Sequence, residues 1–151
     1  MKKIIYLLGF LTLAILVSCE QAVDGNEITD DATKLVKITG QWEVNAYSDS
    51  TLVYGPFKII TLKDPSIEND SITVQDSEVK FWKFQVKASV DEKNGTFQTR
   101  LSQCEVSEEG IGVIISNGMI VDSDSIYLEI QFEDDETPYG NIYQLKGRRS
   151  N

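Results

Sequence analysis

The 151-residue sequence contains no histidine. A Ser-His-Asp or Cys-His catalytic arrangement therefore cannot be built from this chain, and a zinc site with histidine ligands is excluded as well. The chain also lacks a G-x-S-x-G nucleophile elbow and a glycine-rich phosphate-binding loop. Hydrolysis by paired carboxylates or by a Ser–Lys pair stays open on composition alone. We assign no catalytic residue, no cofactor and no metal ligand from the sequence.

Cysteine is nearly absent, since only Cys19 and Cys104 are present. If Cys19 is acylated, as argued below, no disulfide can form within the chain. A reactive thiol would need a basic neighbour, whereas Cys104 is followed closely by Glu105, Glu108 and Glu109. Cys104 is therefore predicted to be an inert packing residue.

Positive charge is scarce, with 14 lysines and arginines against 24 acidic residues and a net charge of −10. Nucleic-acid binding and electrostatic binding to anionic lipid both need clusters of basic residues. The sequence therefore predicts no nucleic-acid partner, and any contact with a membrane must come from another source.

The N-terminus has the three parts of a secretory signal peptide. Lys2 and Lys3 are positive, residues 4–17 are almost wholly apolar, and small residues precede Cys19. An apolar core of about 7–15 residues is typical of such signals, whereas about 20 residues are needed to span a bilayer. The sequence LVSC at 16–19 also resembles the bacterial lipobox, in which the chain is cut before the cysteine and its sulfur is acylated. A plain secretory signal and an uncleaved anchor are the alternatives.

These features predict how the chain is organised. We expect a signal peptide over 1–18, a lipidated and flexible acidic segment over 19–33, and a single domain over 34–151. Loss of the first two lysines with the signal peptide would change the net charge from −10 to −12. Acyl chains on Cys19 would hold the protein in the membrane at about 0.8 kcal/mol per buried CH₂. Because Glu20 follows the cysteine, we expect the outer membrane of the cell envelope, on either its periplasmic or its surface side.

Alternation of apolar and polar residues runs through the domain. It predicts strands over 41–47, 82–90, 97–101 and 126–132. Residues 51–62, which are β-rich with mixed faces, and residues 111–121 and 140–149 are counted as further strands. One apolar face per strand is typical of antiparallel sheets with one side in solvent. The Asn-Gly pairs at 94–95 and 117–118 are hairpin-turn signals, and Gly-Pro at 55–56 indicates a bulge, bend or edge. About eight such strands are typical of an up-and-down barrel or a sandwich.

Two features favour the barrel. Gly40 and Trp42 begin the first strand as G-x-W, which resembles the signature of lipocalins and related calycins. In that group the tryptophan plugs one end of the barrel, and an arginine of the last strand lies across its indole. Here the last strand ends in YQLKGRRS at 143–150. If Leu145 points inward, so does Arg149, with Arg148 as the alternative if the strand bulges. The resemblance implies a single antiparallel, roughly eight-stranded calycin-like barrel, although the further lipocalin motifs are absent.

A closer resemblance covers nearly the whole domain. The segments GQW at 40–42, KFWKFQVK at 80–87, DSIYLEIQFEDDETPYG at 124–140 and YQLKGRRS at 143–150 carry it. They resemble a small lipoprotein family of Gram-negative anaerobes called lipid-binding putative hydrolases, which is described as calycin-like. The resemblance implies lipid binding and hydrolysis. It brings no established catalytic residue to this chain.

An eight-stranded barrel is just wide enough to be filled by its own side chains or to hold one small ligand. The residues expected to line such a ligand site are Trp82, Phe84, Val86, Phe97, Leu101, Leu128 and Ile130. The sequence therefore predicts a membrane-anchored protein that binds a small hydrophobic or lipid-like ligand. If these residues only pack against each other, the protein would instead be an accessory subunit that docks on an envelope protein through loops such as 63–73. A hydrolase is the third possible function.

Overall fold

The computed structural model describes residues 38–63 and 70–151. The signal peptide, Cys19 and the acidic segment predicted above lie outside these residues, as do positions 34–37 and 64–69 of the predicted domain. In the part of the chain that is described, no helix is long and apolar enough to cross a membrane.

The described residues form nine strands. They are β1 (Gly40–Ser48), β2 (Thr51–Leu62), β3 (Ser71–Asp76), β4 (Gln85–Asp91), β5 (Thr96–Gln98), β6 (Ser102–Gln103), β7 (Gly112–Asp122), β8 (Ser125–Phe132) and β9 (Tyr143–Arg149). Strands β1 to β5 pair antiparallel in chain order, and so do strands β7 to β9. Strand β1 also pairs antiparallel with β9. Because β5 and β6 pair in succession with β7, they act as one strand and close the sheet. The predicted eight-stranded antiparallel barrel is confirmed.

The seam between β5 and β7 closes the barrel with few backbone hydrogen bonds. The chain leaves strand geometry between β5 and β6, and Thr99 fills this break. Its N–H donates to the carbonyl of Ile115 at 2.8 Å, and its Oγ1 accepts the N–H of Ile115 at 2.8 Å. On the facing strand, a Cβ at Gly118 would lie 2.5 Å from the carbonyl oxygen of Phe97. At the break between β5 and β6, Thr99 therefore continues the pairing with β7, and the lack of a side chain at position 118 lets the two strands approach.

The apolar faces of the strands fill the interior of the barrel. The side chains with 0% exposure include one or more from most strands, namely Trp42, Val44, Ala46, Ile59, Val74, Val86, Val113, Ile115, Leu128, Ile130, Phe132 and Leu145. A cavity wide enough for water would leave exposed area on the residues around it. Values of zero therefore show that the interior is closely packed at these positions, as expected for an eight-stranded barrel.

Two expectations about strands and turns were wrong. Residues 71–73, expected in a docking loop, belong to β3, in which Ile72 and Val74 are buried. The Asn-Gly pair at 117–118 lies inside β7, where the register against β8 shifts, and Asn117 adopts a φ of 50°. Asparagine tolerates this left-handed conformation, so the pair forms a bulge that bends β7, and the turn to β8 comes only after Asp122.

Other local predictions are confirmed. The Asn-Gly pair at 94–95 lies in the turn between β4 and β5. The Gly-Pro pair at 55–56 lies in β2 opposite a register shift in β1, between Val44 and Ala46. Cys104 is buried with 4% exposure, and its Sγ contacts the carbonyl of Lys83 at 3.4 Å. These features follow from local sequence, because turn chemistry and apolar periodicity act over a few residues.

Candidate binding site at the distal end of the barrel

Trp42 closes one end of the barrel and has 0% exposure. Its Nε1–H donates to Oγ1 of Thr61 at 2.9 Å, and that hydroxyl donates to the carbonyl of Ile38. The indole is therefore buried with its polar atom satisfied, which avoids the cost of an unpaired donor. Ile38 is itself 1% exposed and packs in the same apolar cluster.

Arg149 covers the outer side of this plug. Its guanidinium carbon lies 4.2 Å from the ring centroid of Trp42, which confirms the expected cation–π contact. Its Nη1 donates to the carbonyl of Thr39 at 2.9 Å, which fixes the guanidinium in place. Gly40 has a φ of 152°, which favours glycine, and a Cβ there would collide with that Nη1. Glycine at 40 thus leaves room for the arginine, whereas Arg148 pairs in register with Ser125 and is exposed.

The opposite end, called here the distal end, carries the connections between β1 and β2, β3 and β4, β6 and β7, and β8 and β9. Connections of an antiparallel barrel alternate between its ends, so all four lie away from Trp42. Seven aromatic residues meet there, and we call them the aromatic cap: Tyr54, Phe57, Phe81, Trp82, Phe84, Phe132 and Tyr143. Each ring of this cap lies within 6 Å of at least one other. The distal end is thus covered by aromatic rings.

Phe81 and Trp82 lie at the centre of the aromatic cap. The ring of Phe81 lies 5.2 Å from both Phe57 and Tyr143, in tilted and edge-to-face geometries. The indole of Trp82 stacks on Phe132 with centroids 4.4 Å apart and planes 5° apart. Offset and edge-to-face pairs of this kind add about 0.5–1.5 kcal/mol beyond area burial. The two side chains belong to the β3–β4 connection, so this connection folds across the barrel end.

Asp76, at the end of β3, holds this connection in place. Its carboxylate is 5% exposed and accepts four backbone N–H groups. They come from Glu78 at 3.0 Å, Lys80 at 2.9 Å, Phe81 at 2.9 Å and Trp82 at 3.3 Å. Successive N–H groups that converge on one anion form a concave nest. The buried charge is thus compensated by the same backbone that positions Phe81 and Trp82.

Asp76→Asn should loosen this connection, because the amide has one acceptor oxygen and adds two donors beside the four N–H groups. We expect the free energy of unfolding to fall by about 1–3 kcal/mol, the usual cost of unsatisfied buried donors. Amide hydrogen exchange at residues 78–82 should become faster. The matched control is Asp124→Asn, an exposed carboxylate in the turn between β7 and β8 at the other end. Unchanged exchange at 78–82 would contradict this role of Asp76.

A groove of about 480 Å³ lies beside the aromatic cap. Phe81, Trp82 and Ile111 form its apolar wall. Its polar rim is formed by Lys83, Ser107, Glu108 and Asp134. The Nε1–H of Trp82 donates to Oδ1 of Asp134 at 2.9 Å, so the indole has one polar edge fixed and one face toward the groove. A site of this kind can hold an apolar group and a polar head together.

The β8–β9 connection provides further carboxylates at the distal end. Partial burial acts to raise the pKa of Asp135, but hydrogen bonds from Asn141 and Tyr143 outweigh it and hold that pKa below its usual value. Partial burial and the hydrogen bond to Asp135 raise the pKa of Tyr143 in turn. Asp135 is therefore ionised and Tyr143 is neutral throughout the physiological pH range.

The structure separates the ligand-lining candidates into two groups. Phe84, Val86, Phe97, Leu128 and Ile130 face the interior as expected, with exposures of 0–2%, but they pack against their neighbours. Trp82 lies before β4, which begins only at Gln85, so it joins the aromatic cap and not a strand. Leu101 does not face the interior and is 63% exposed, because the break between β5 and β6 ends the alternation. Of the predicted lining residues, only Trp82 borders the groove.

The other groove residues were not predicted. One signal was present, since Phe81 and Trp82 are adjacent apolar residues and cannot both face inward in a strand. Asp76 could not be identified from sequence, because its four donors become neighbours only when the chain turns around it. Glu108, Ile111 and Asp134 come from two connections about 25 residues apart in the chain and meet only through barrel closure.

Two further grooves are less suited to an apolar ligand. One of about 350 Å³ follows the seam between β5 and β7, with Ser89, Asp91 and Gln98 among its lining residues. Another of about 460 Å³ lies on the outer face of β1 and β9, beside Glu43 and Arg148. Among the described residues, no group of three or more His, Cys, Asp or Glu side chains could hold a metal ion. The aromatic groove at the distal end is therefore the candidate binding site.

No curated protein sequence matches the chain. A family model described as "Lipid-binding putative hydrolase" matches residues 27–151, which include every strand described above. The chain therefore belongs to the family of lipid-binding putative hydrolases.

Proposed function

We propose that this chain is a lipid-anchored envelope protein that binds a small hydrophobic or lipid-like ligand without chemical turnover. The observation that carries the proposal is the aromatic groove of about 480 Å³ at the distal end, in a chain of a lipid-binding family. Ligand sites in proteins are typically clefts of about 300–1,000 Å³ lined by apolar and aromatic side chains. The groove has this size and this apolar wall.

The packed interior supports a site at the barrel end and not within the barrel. Entry of a ligand among Val86, Leu128 and Ile130 would require these fully buried side chains to separate. Trp82 and Phe81 are only partly buried and can contact a ligand without that cost. An acyl chain would lie along the indole of Trp82 and the side chain of Ile111.

The non-catalytic part of the proposal is supported by the chemistry available. The chain has no histidine to serve as a general base. Ser107 and Lys83 both line the groove, but the hydroxyl of Ser107 is bonded to the N–H of Ile111 and not to Lys83. Ser107 is the only hydroxyl residue in the groove lining. Sustained hydrolysis of acyl esters that one Ser107 or Asp134 substitution abolishes, with the fold intact, would contradict this part.

Trp82→Ala should remove most of the ligand binding, because it deletes the largest apolar surface of the groove. The full chain would be released from its host membrane, and native mass spectrometry would measure the fraction carrying a lipid-sized mass. We expect at least a tenfold loss of bound mass. Tyr127→Ala is the control, since it shortens an aromatic on the outer face of β8, away from the groove. Equal ligand occupancy in wild type and Trp82→Ala would overturn the proposed site.

A second candidate function is docking on an envelope protein. Several apolar side chains at the distal end are exposed: Leu52 at 55% and Val53 at 46% at the start of β2, and Val79 at 57% and Ile142 at 47% on two connections. Exposed apolar clusters of this kind mark contact sites in many proteins. A stable complex in the host envelope that Leu52→Ser and Val53→Ser dissociate, without loss of bound lipid, would favour this function.

Anchoring through Cys19 and location in the outer membrane belong to the same proposal. They rest on the LVSC sequence at 16–19 and on the acidic segment that follows it. With few basic residues, the chain has little electrostatic attraction to anionic lipid. The acyl chains would therefore supply the membrane affinity.

A further inference from the structure

We infer that the ligand of the aromatic groove is an amphiphile with a cationic head group, and not an anionic lipid or a fatty acid. The inference rests on the proposed function and specifies its ligand class. It follows from the combination of an apolar aromatic wall with a rim that carries an excess of negative charge.

The charges around the groove are unbalanced. Glu108 and Asp134 border it, and Lys83 is the one cation in its lining. Of the three connections that line the groove, residues 104–111 and 133–142 together contain seven carboxylates and no lysine or arginine, and the β3–β4 connection adds Glu78, Lys80 and Lys83. An anionic head group placed here would meet like charges, and the interaction acts over about 8–10 Å at physiological ionic strength.

Few of these carboxylates are neutralised by protein cations. Of the two ion pairs among the described residues, only Lys87–Glu105 at 3.3 Å lies on this side, and Lys63–Glu92 lies at the other end. The remaining contacts come from neutral donors. Glu133 accepts the backbone N–H of Gly112 at 2.7 Å, and Asp134 accepts the indole Nε1–H of Trp82 at 2.9 Å. Neutral donors fix these carboxylates in position and leave their negative charge for a ligand.

The aromatic wall favours the same head group. A cation near the face of a tryptophan or phenylalanine is attracted by the ring quadrupole, most strongly at tryptophan. Trp82 and Phe81 lie beside Glu108 and Asp134 in one groove. A cationic head could thus contact a carboxylate while its tail lies on the apolar wall. The positive charge of Lys83 opposes binding of a cationic head group, so removal of this side chain should strengthen that binding.

The test uses three soluble probes with the same octyl tail: octyltrimethylammonium, octyl glucoside and octyl sulfate. Affinities for the full chain held in a non-ionic amphipol would be measured by titration of tryptophan fluorescence below the micelle concentration of each probe. We expect the cation to bind at least tenfold more tightly than the anion, with the neutral probe between them. Raised salt should reduce the preference for the cation, because the attraction is screened.

Matched variants identify the charges responsible. Glu108→Gln combined with Asp134→Asn should weaken binding of the cation about fivefold or more and strengthen binding of the anion. Both changes keep side-chain shape, and Asn at 134 retains an acceptor for Trp82. Lys83→Ala should act in the opposite direction. Glu92→Gln, which removes a carboxylate at the other end of the barrel, should change none of the affinities.

The outcomes separate this inference from the proposed function. Equal binding of all three probes, or tightest binding of the anion, overturns the cationic head group and leaves the hydrophobic site in place. Failure of all three probes to bind overturns the proposed site itself. Tighter binding of the cation that is unaffected by Glu108→Gln and Asp134→Asn overturns the assignment of these carboxylates.

Discussion

Replacing Trp42 by alanine should lower the free energy of unfolding by about 3–5 kcal/mol, the usual cost of removing a large aromatic side chain from a core. The indole is fully buried, donates a hydrogen bond to Thr61 and supports the guanidinium of Arg149. Its loss would leave a cavity, a buried hydroxyl with one fewer partner and a cation without its ring. Urea denaturation monitored by circular dichroism would measure the change.

Control variants would distinguish the structural role of Trp42 from the ligand-binding role of the aromatic groove. Arg149→Gln removes the cation and should cost less, about 0.5–2 kcal/mol for a cation–π contact. Trp82→Ala should reduce stability less than Trp42→Ala, because Trp82 is only partly buried. At temperatures where both variants are folded, Trp82→Ala should reduce ligand binding more than Trp42→Ala does. A Trp42→Ala protein as stable as wild type would mean that the indole does not close the barrel.

Cys19→Ser should abolish labelling of the protein by radioactive palmitate and release the chain from the membrane fraction. Serine cannot accept the thioether-linked lipid, so the variant should appear as a soluble or unprocessed form. Labelling of cells followed by membrane fractionation and gel fluorography would measure both effects. The expected change is all-or-none, because the proposed anchoring would depend entirely on the acyl chains.

The chain supplies its own control for this experiment. Cys104→Ser changes the second cysteine, which is buried in the barrel, and should leave palmitate labelling unchanged. Equal labelling of wild type and the Cys19→Ser variant would rule out Cys19 as the attachment site. Loss of labelling with retention in the membrane would show that an uncleaved N-terminal segment holds the protein there.

The sequence by itself determined the antiparallel strands, and its resemblance to calycins indicated the barrel and its closed end. Alternation of apolar and polar residues assigns each side chain to a face within a few residues, so antiparallel strands could be predicted locally. Counting by twos from Leu145 placed Arg149 on the inner side with Trp42, and the structure confirms this contact. Strand β3 was missed because its six residues lie between acidic turn residues. The lack of histidine restricted the available chemistry without any structure.

Only the tertiary structure decided where a ligand could bind. Whether inward-facing residues enclose a cavity depends on the distance between strands that are far apart in sequence, and here they meet and fill the interior. The aromatic cap arises because a buried carboxylate at Asp76 gathers four N–H groups and turns Phe81 and Trp82 across the barrel end. The groove beside them exists because barrel closure brings Glu108 and Asp134 to the same rim. These contacts join segments that are distant in sequence, and the alternation of apolar and polar residues along a strand contains no information about them.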